Sequence, residues 1–458
     1  MISRACFILS IFLISAVAND AFHKWMVERD SSRSSKIEFV TTQSPKDGHI
    51  GNVHLRVATN IKKNEILYSF DISRPTAVIS AQEARRDPDV GHVFRAIQEK
   101  REKKKDRKAV VLNDGEAIKL YSMWLRVNRP DRWAAYLDVL PELDVPLMWS
   151  DEDLSQLKGN LTTDLKEAMD ADWNTRFRRV LQKYPEHFPA TSYTFRDFLW
   201  STSLLGGRVW RHEGDNIILP IIESFSFDKK TSAKLQQKGD IVELVATRDI
   251  AGGEEIHLRH TDTNMGNRDL LDYYGITIND NEHDNVQLGV TLDKDDRLYG
   301  AKMDMFKRKG IKSGQMFTLT KEGASNELIA ALRIYHTTLY DFDTVTLALV
   351  DKPISHQNEL DVSRSILELC ERALDAYETP SSREEEELLK KREATTNRVW
   401  NAARVRRSEK RILKRTILQA KEAMVNTNAK WDNRGVDIPT ALKSIKSEVK
   451  PNTKLTPV

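Results

Sequence analysis

The chain has 458 residues, 40% hydrophobic and 30% charged, and its 71 Lys plus Arg nearly match its 68 Asp plus Glu for a net charge of +3. That is enough apolar material for two or three folding units with buried cores, while overall charge this close to neutral announces no nucleic-acid partner. With only two cysteines, Cys6 and Cys370, a disulfide-stapled scaffold is excluded.

The N-terminus, MISRACFILSIFLISAVAND, sets Arg4 before an apolar run from Ala5 to Ala18 that ends in Ala16-Val17-Ala18. A basic start, a short apolar stretch and a small-x-small end predict a cleaved signal peptide over residues 1–18 and passage into the secretory pathway. The run is shorter than the roughly 18 residues that cross a bilayer, so no stable membrane insertion is expected. Cleavage would remove Cys6 and leave Cys370 alone, a state that suits the endoplasmic reticulum lumen or a complex plastid better than the cell exterior. Residues 19–50, with Phe22 and the polar run ERDSSRSSK, read as a linker or targeting segment. Asn160-Leu161-Thr162 is a glycosylation sequon usable on that route.

Two segments further along repeat each other. VATNIKKNEI (Val57 to Ile66) and VATRDIAGGEEI (Val245 to Ile256) each read as strand, polar turn, strand. Asn64 sits where the second copy has Gly253, and Asn is the residue that best replaces glycine in a left-handed turn. Between them, from about Gly115 to Trp200, apolar residues recur at helical spacing: Ile118, Tyr121 and Leu125, then Leu161, Leu165 and Met169. From Gln315 to Met424 the chain is again mostly helical by periodicity. There Ser381 and Ser382, followed three residues later by Glu384 and Glu385, form capping boxes that open a long helix or helix pair, acidic at its start and basic at its end. After Asn426 the chain is polar and contains Pro439, Pro451 and Pro457, as in a loose tail. The basic runs, KREKKKDRK and the Arg-rich helix, lack interleaved aromatics and are read as solvated faces, with no nucleic acid as partner.

Two hairpin units flanking a helical insertion, then NRDLLDYYGI (Asn267 to Ile276), then LRIYH, ISHQNELD and the run from YETPSSREEEELL to RRSEKRIL make a recognisable series. It resembles the SET-domain protein methyltransferases, in the branch of the plant Rubisco large-subunit lysine methyltransferase, from about Gly51 to Met424. The resemblance implies an α+β fold: a SET domain of small β-sheets at 51–280 with a helical insertion near 75–200, a mostly helical substrate-binding domain at 281–425, and a flexible tail at 426–458. It implies transfer of a methyl group from S-adenosylmethionine to a lysine of a protein substrate, with histidine as another target known in the branch. Tyr274 matches the family's catalytic tyrosine, and Arg208, in WSTSLLGGRVW, matches an arginine of the cofactor pocket.

Other positions depart from the pattern. The family's Gly-Arg-Gly reads Val53-His54-Leu55 here, and Leu55 puts a side chain where the cofactor's methionine end needs space. The family's Asn-His pair reads Ser226-Phe227; Ser keeps one hydrogen bond, and Phe offers none. On the substrate side, Glu223 stands for an aspartate and His260 for a tyrosine. No Cys/His cluster has metal-ligand spacing, so no metal is expected. Two functional readings stay open: an active methyltransferase with a rebuilt cofactor pocket, and a catalytically inactive SET relative that binds proteins through its helical domain.

Overall fold

The computed structural model of the chain describes residues 21–29, 32–41, 53–103, 112–140, 143–157, 161–224, 231–259, 265–312, 314–341, 343–377, 381–392 and 395–431. They divide into two compact units, one drawn from 1–154, 160–265 and 269–281, the other from 155–159, 266–268 and 282–458. Each has its own apolar core.

In the first unit, residues 21–27 are helical (α1) and lead into β1 (Ser32–Arg33), β2 (Ile37–Thr41), β3 (Val53–Val57), β4 (Ile66–Asp71) and β5 (Ile79–Ser80). The helical insertion then runs through α2 (Ala81–Arg86), α3 (Gly91–Lys103), α4 (Asp114–Asn128), α5 (Asp131–Val139), α6 (Asp151–Ser155), α7 (Leu161–Asp172), α8 (Arg178–Lys183) and α9 (Phe195–Arg208). β6 (Val209–His212), β7 (Asp215–Ile218), a 3-10 turn (Pro220–Ser224), β8 (Ala233–Lys238), β9 (Ile241–Ala246), β10 (Leu258–Arg259) and α10 (Asn267–Tyr274) follow. Among the described residues the strands form a sheet in the order β1-β4-β9-β8-β10, a β2-β3 ribbon and a β5-β7-β6 sheet. The fold class is α+β with small sheets around a helical insertion, as the sequence implied.

The insertion's main helices start where their caps dictate. Asn113 and Glu116 exchange hydrogen bonds of 2.7 and 2.9 Å at the start of α4, and Thr194 and Asp197 exchange the same reciprocal pair at the start of α9.

The sequence repeat has a structural meaning beyond two separate hairpins: the two copies pair with each other. Ile61 and Ile250 exchange backbone hydrogen bonds of 2.9 and 3.0 Å. On one side the Val57 N–H donates to the Glu254 carbonyl; on the other the Ala246 N–H donates to the Glu65 carbonyl. The turns cap one another in the same symmetric way. Asn60 accepts from the Gly252 N–H and Asp249 from the Lys63 N–H, while Glu65 and Glu254 each accept from an amide of their own turn, those of Lys62 and Ala251. Asn64 adopts φ +68° and Gly253 φ +88°, so both occupy the left-handed region the sequence pattern demands.

One expectation is corrected here. Within 19–50, read as linker or targeting sequence, residues 21–29 and 32–41 belong to the folded unit. Phe22, Trp25 and Met26 are buried with Tyr136 and Trp133, the Trp25 indole donates 2.6 Å to the Arg132 carbonyl, and Arg29 donates to the carbonyls of Thr76, Trp25 and Arg132. Aromatic payload of this size drives burial even in a polar stretch.

The second unit contains β11 (Asn285–Gly289), α11 (Tyr299–Lys309), β12 (Met316–Thr320), β13 (Gly323–Ala324), α12 (Asn326–Tyr335), α13 (His356–Asp375), α14 (Arg383–Lys390) and α15 (Asn397–Trp431). The strands form an antiparallel sheet, and α13 and α15 pack along each other. The long acidic-to-basic segment is thus a helix pair, and α15 runs to Trp431, past the expected start of the tail. Ser382 makes no capping bond to the α14 backbone. The acidic stretch acts through tertiary pairing instead: the buried carboxylate of Glu385 accepts 3.0 Å from Arg406 and 2.8 Å from Lys410, both also buried. Among the described residues no helix is long and apolar enough to cross a membrane.

Candidate active site

The site in the first unit is assembled by the close approach of two chain turns. α9 ends in Gly206-Gly207-Arg208, and α10 ends in Tyr273-Tyr274, with Gly275 next. A methyl group on Gly207 would collide with the Tyr273 carbonyl oxygen, and one on Gly206 would press on the Tyr273 ring at 3.3 Å. Two glycines in a helix cost intrinsic stability, and here they allow backbone-to-backbone packing that no side chain permits. The consequence is that Arg208, 1% exposed, lies within electrostatic reach of Tyr274, 7% exposed.

Gly275 stops α10 with φ +73°, its N–H donating 3.0 Å to the Leu271 carbonyl. A side chain there would also strike the Asp144 carbonyl, 2.6 Å from the ideal Cβ position. Asp144 is itself fixed by the Trp149 indole, which donates 3.0 Å to its carboxylate. The Tyr-Gly turn is therefore clamped between the end of α9 and the 144–149 loop.

Burial pushes the Tyr274 phenol pKa well above its ordinary value, and the Arg208 guanidinium opposes that rise without cancelling it. Tyr274 consequently stays a neutral phenol, able to donate one hydrogen bond and accept others, at any physiological pH. Tyr273 beside it is 43% exposed, and its phenol is raised in the same direction by burial and then by Asp269 and Asp272.

Tyr274 and Arg208 are thus brought together. Leu55 lies in β3 opposite Phe39, fully buried in the core, with its carbonyl accepting 2.8 Å from the Ile256 N–H. The backbone of Glu223 lies in the 3-10 turn 220–224, and its side chain is outside the described residues, as are Ser226, Phe227, His260 and the sequon asparagine, Asn160. What the sequence reading missed is the glycine pair: Gly206 and Gly207 bring α9 onto Tyr273. Two adjacent glycines inside a helical pattern are the signal that could have found them.

These turns, sheets and helical insertion define a SET-type fold. The chain is similar to the crystal structure of the SET domain of LSMT bound to lysine and AdoHcy, with TM-score 0.75 and 18% identity over 90% of this chain and 93% of that one. It is similar at the same TM-score and identity to the structure of Rubisco LSMT bound to AdoMet, over 93% of this chain and 99% of the other. Residues 293–413 match the family described as Rubisco LSMT substrate-binding, so the chain has the Rubisco-LSMT-like architecture of a SET-type unit followed by that domain. In sequence it is similar to the actin-histidine N-methyltransferases of Papio anubis, Mus musculus and Homo sapiens, each 25% identical over 339 residues, which cover 68% of this chain and 56% of the relative. The chain spans little more than half the length of these curated relatives.

Proposed function

We propose that the chain is an S-adenosylmethionine-dependent protein methyltransferase acting on a side-chain nitrogen, with lysine as the target. The observation that carries this reading is the packing of Gly206-Gly207-Arg208 on Tyr273-Tyr274-Gly275, which sets a neutral phenol beside a buried guanidinium.

Cofactor fit is tested at Leu55 and at the buried pair. The Leu55 side chain is enclosed in the core and its backbone is paired with Phe39 on one side and Ile256 on the other, so Leu55 gives the fit no support. Arg208 and Tyr274 fit, since they supply a fixed positive charge and a hydroxyl at one place. S-adenosylmethionine, when bound, supplies an electrophilic methyl group.

The residues of this chain supply the rest. A lysine brought to Tyr274 must lose its proton, and the Arg208 charge together with the desolvation that raises the Tyr274 phenol both disfavour the ammonium form. The Tyr274 hydroxyl orients the amine, and positioning of this kind accounts for most of the rate in an in-line displacement. A second reading, methylation of histidine, is favoured by what the relatives of similar sequence do; an imidazole reaches neutrality more easily than an amine.

Calorimetry with S-adenosylmethionine and sinefungin, followed by transfer of labelled methyl to actin, to Rubisco and to lysate proteins, tests the reading. Binding weakened by Arg208→Ala and transfer abolished by Tyr274→Phe are expected. No binding at about millimolar cofactor would leave the protein-binding alternative standing. Mass spectrometry of the labelled protein then separates lysine from histidine.

Passage into the secretory pathway belongs to the same proposal. Cleavage after Ala18 would spare Phe22 and Trp25, on which the core depends. Following an N-terminal against a C-terminal tag in cells checks it: loss of the N-terminal tag alone is expected.

A further inference from the structure

Away from the site, the first unit carries a histidine pair that methyl transfer does not use. His92 lies in the first turn of α3 and His187 in the turn after α8, 95 residues apart in sequence. Their Nε2 atoms stand 3.0 Å apart, with the rings crossing at 70° and centroids 4.7 Å apart. Two ring nitrogens at that distance share one proton, so one ring donates from Nε2 and the other accepts with its lone pair. The same separation suits a metal ion. Two imidazole nitrogens on one ion at bond lengths of about 2.0–2.1 Å stand roughly 2.9–3.4 Å apart when the angle between the bonds is about 90–110°.

The pair is held from behind. The N–H groups of His187 and Phe188 both donate to the Tyr184 carbonyl, at 3.1 and 2.9 Å. The His187 carbonyl accepts 3.3 Å from the Tyr193 hydroxyl, which in turn accepts 2.8 Å from Asn128. Phe188, next to His187, meets Phe94, two residues beyond His92, edge to face at 6.5 Å in the core. The start of α3 is fixed by the Gly91 N–H donating 2.9 Å to the Asp87 carbonyl, and Asp87 accepts 2.7 Å from the buried Tyr121 hydroxyl. Anchored backbones of this kind hold metal-ligating imidazoles in place. Glu186 puts a carboxylate oxygen 3.9 Å from His187 Nε2, close enough to offset a cation's charge.

We propose that His92 and His187 form a surface site for a borderline divalent transition-metal ion, bound through the two Nε2 atoms with water completing its coordination. The donor ring exchanges its Nε2 proton for one on Nδ1 through solvent, which frees both lone pairs without changing the pair's charge. Imidazole favours Cu2+, Ni2+ and Zn2+ and leaves Mg2+ and Ca2+ to oxygen ligands. Sequence spacing could not show this site, because its ligands come from distant segments.

The full chain is titrated calorimetrically with Cu2+, Ni2+ and Mg2+, in parallel with His92→Ala and His187→Ala. Expected are one stoichiometric site for Cu2+, a weaker one for Ni2+ and none for Mg2+, with the site lost in each single variant. The Cu2+ paramagnetic resonance spectrum should show two imidazole nitrogens. Because the ion ties α3 to the segment after α8, Ni2+ should raise the thermal midpoint of the parent and leave both variants unmoved. His92 is exposed, so His92→Ala keeps its fold and decides the case if His187→Ala does not. No stoichiometric site in the parent, or a site that survives in both variants, overturns the proposal.

Discussion

The two units differ in which buried contacts dominate their cores. In the first, large aromatic side chains fill the interior: Phe22, Trp25, Trp133 and Tyr136 pack with ring centroids 5.5–6.3 Å apart, and Trp173, Phe177 and Phe198 form a second group. In the second, buried carboxylates that each meet two or more donors are prominent, a pattern the first unit shows at Asp87 with Arg132 and Tyr121. Glu385 accepts from Arg406 and Lys410, while Arg268 grips Glu409 with two bonds of 3.0 and 3.1 Å and Tyr377 donates 2.6 Å to the same carboxylate. Substitutions in the aromatic cluster of the first unit should therefore act through volume, and those at Glu385 and Glu409 of the second through charge left without its counterion.

The largest effects test that contrast directly. Glu385→Ala leaves the Arg406 and Lys410 charges buried and uncompensated, and should cost about 3–5 kcal/mol in urea unfolding. Replacing all three with apolar residues of similar volume should recover most of it, because a buried ion group is expensive to break and cheap to replace. Phe22→Ala should cost a similar ~3–5 kcal/mol by opening a cavity, with no polar rescue available. A loss below about 1 kcal/mol for Glu385→Ala would remove the basis of the comparison.

Gly207→Ala comes next and bears on the site. The added methyl must push α9 off the Tyr273 carbonyl, for about 1–3 kcal/mol of overpacking, partly offset by the better helix propensity of Ala. Arg208 and Tyr274 would separate, so methyl transfer should fall far more than stability does. Unchanged transfer in a folded Gly207→Ala would show that the packing of the two turns is not what sets Arg208 beside Tyr274.

Much of this was legible in the residues. The repeat with its Asn64 and Gly253 turns and the helical insertion follow from local chemistry that the chain carries in short windows, whereas Tyr274 came from the family resemblance. What was not legible depends on distant partners. Residues 21–29 look polar and fold because Phe22 and Trp25 meet Tyr136 and Trp133 more than a hundred residues away. The acidic start of α14 reads as helix capping, yet Glu385 finds Arg406 and Lys410 on α15.

The smallest effect is electrostatic, and its sign should differ between the paired turns of the first unit and the buried Asp284 of the second. In the first, the turn carboxylates Glu65, Asp249 and Glu254 are held below their ordinary pKa: Glu65 by Lys36 and the Lys62 amide, Asp249 by the Lys63 amide and Lys62, Glu254 by the Ala251 amide and Arg248. A carboxylate whose folded pKa is depressed adds stability above its unfolded pKa, about 4, and loses it as pH falls through the lower folded value. In the second unit, burial raises the Asp284 pKa despite hydrogen bonds from Ser408 and Asn267. Its ionised form costs stability at neutral pH, and that cost is relieved as pH falls through the raised value. Hydrogen exchange reads the two units separately. As pH drops from about 5 to 3, protection around Ile61 and Ile250 should fall, and Glu254→Gln should flatten that fall. Protection around Asn267 and Ser408 should gain an opposing contribution that Asp284→Asn removes. Because the turn carboxylates are solvent-exposed, salt should shrink the first effect and leave the buried Asp284 effect nearly intact. If salt and acid move the paired turns and the Asp284 site alike, these exposed and buried carboxylates are not acting as their environments require.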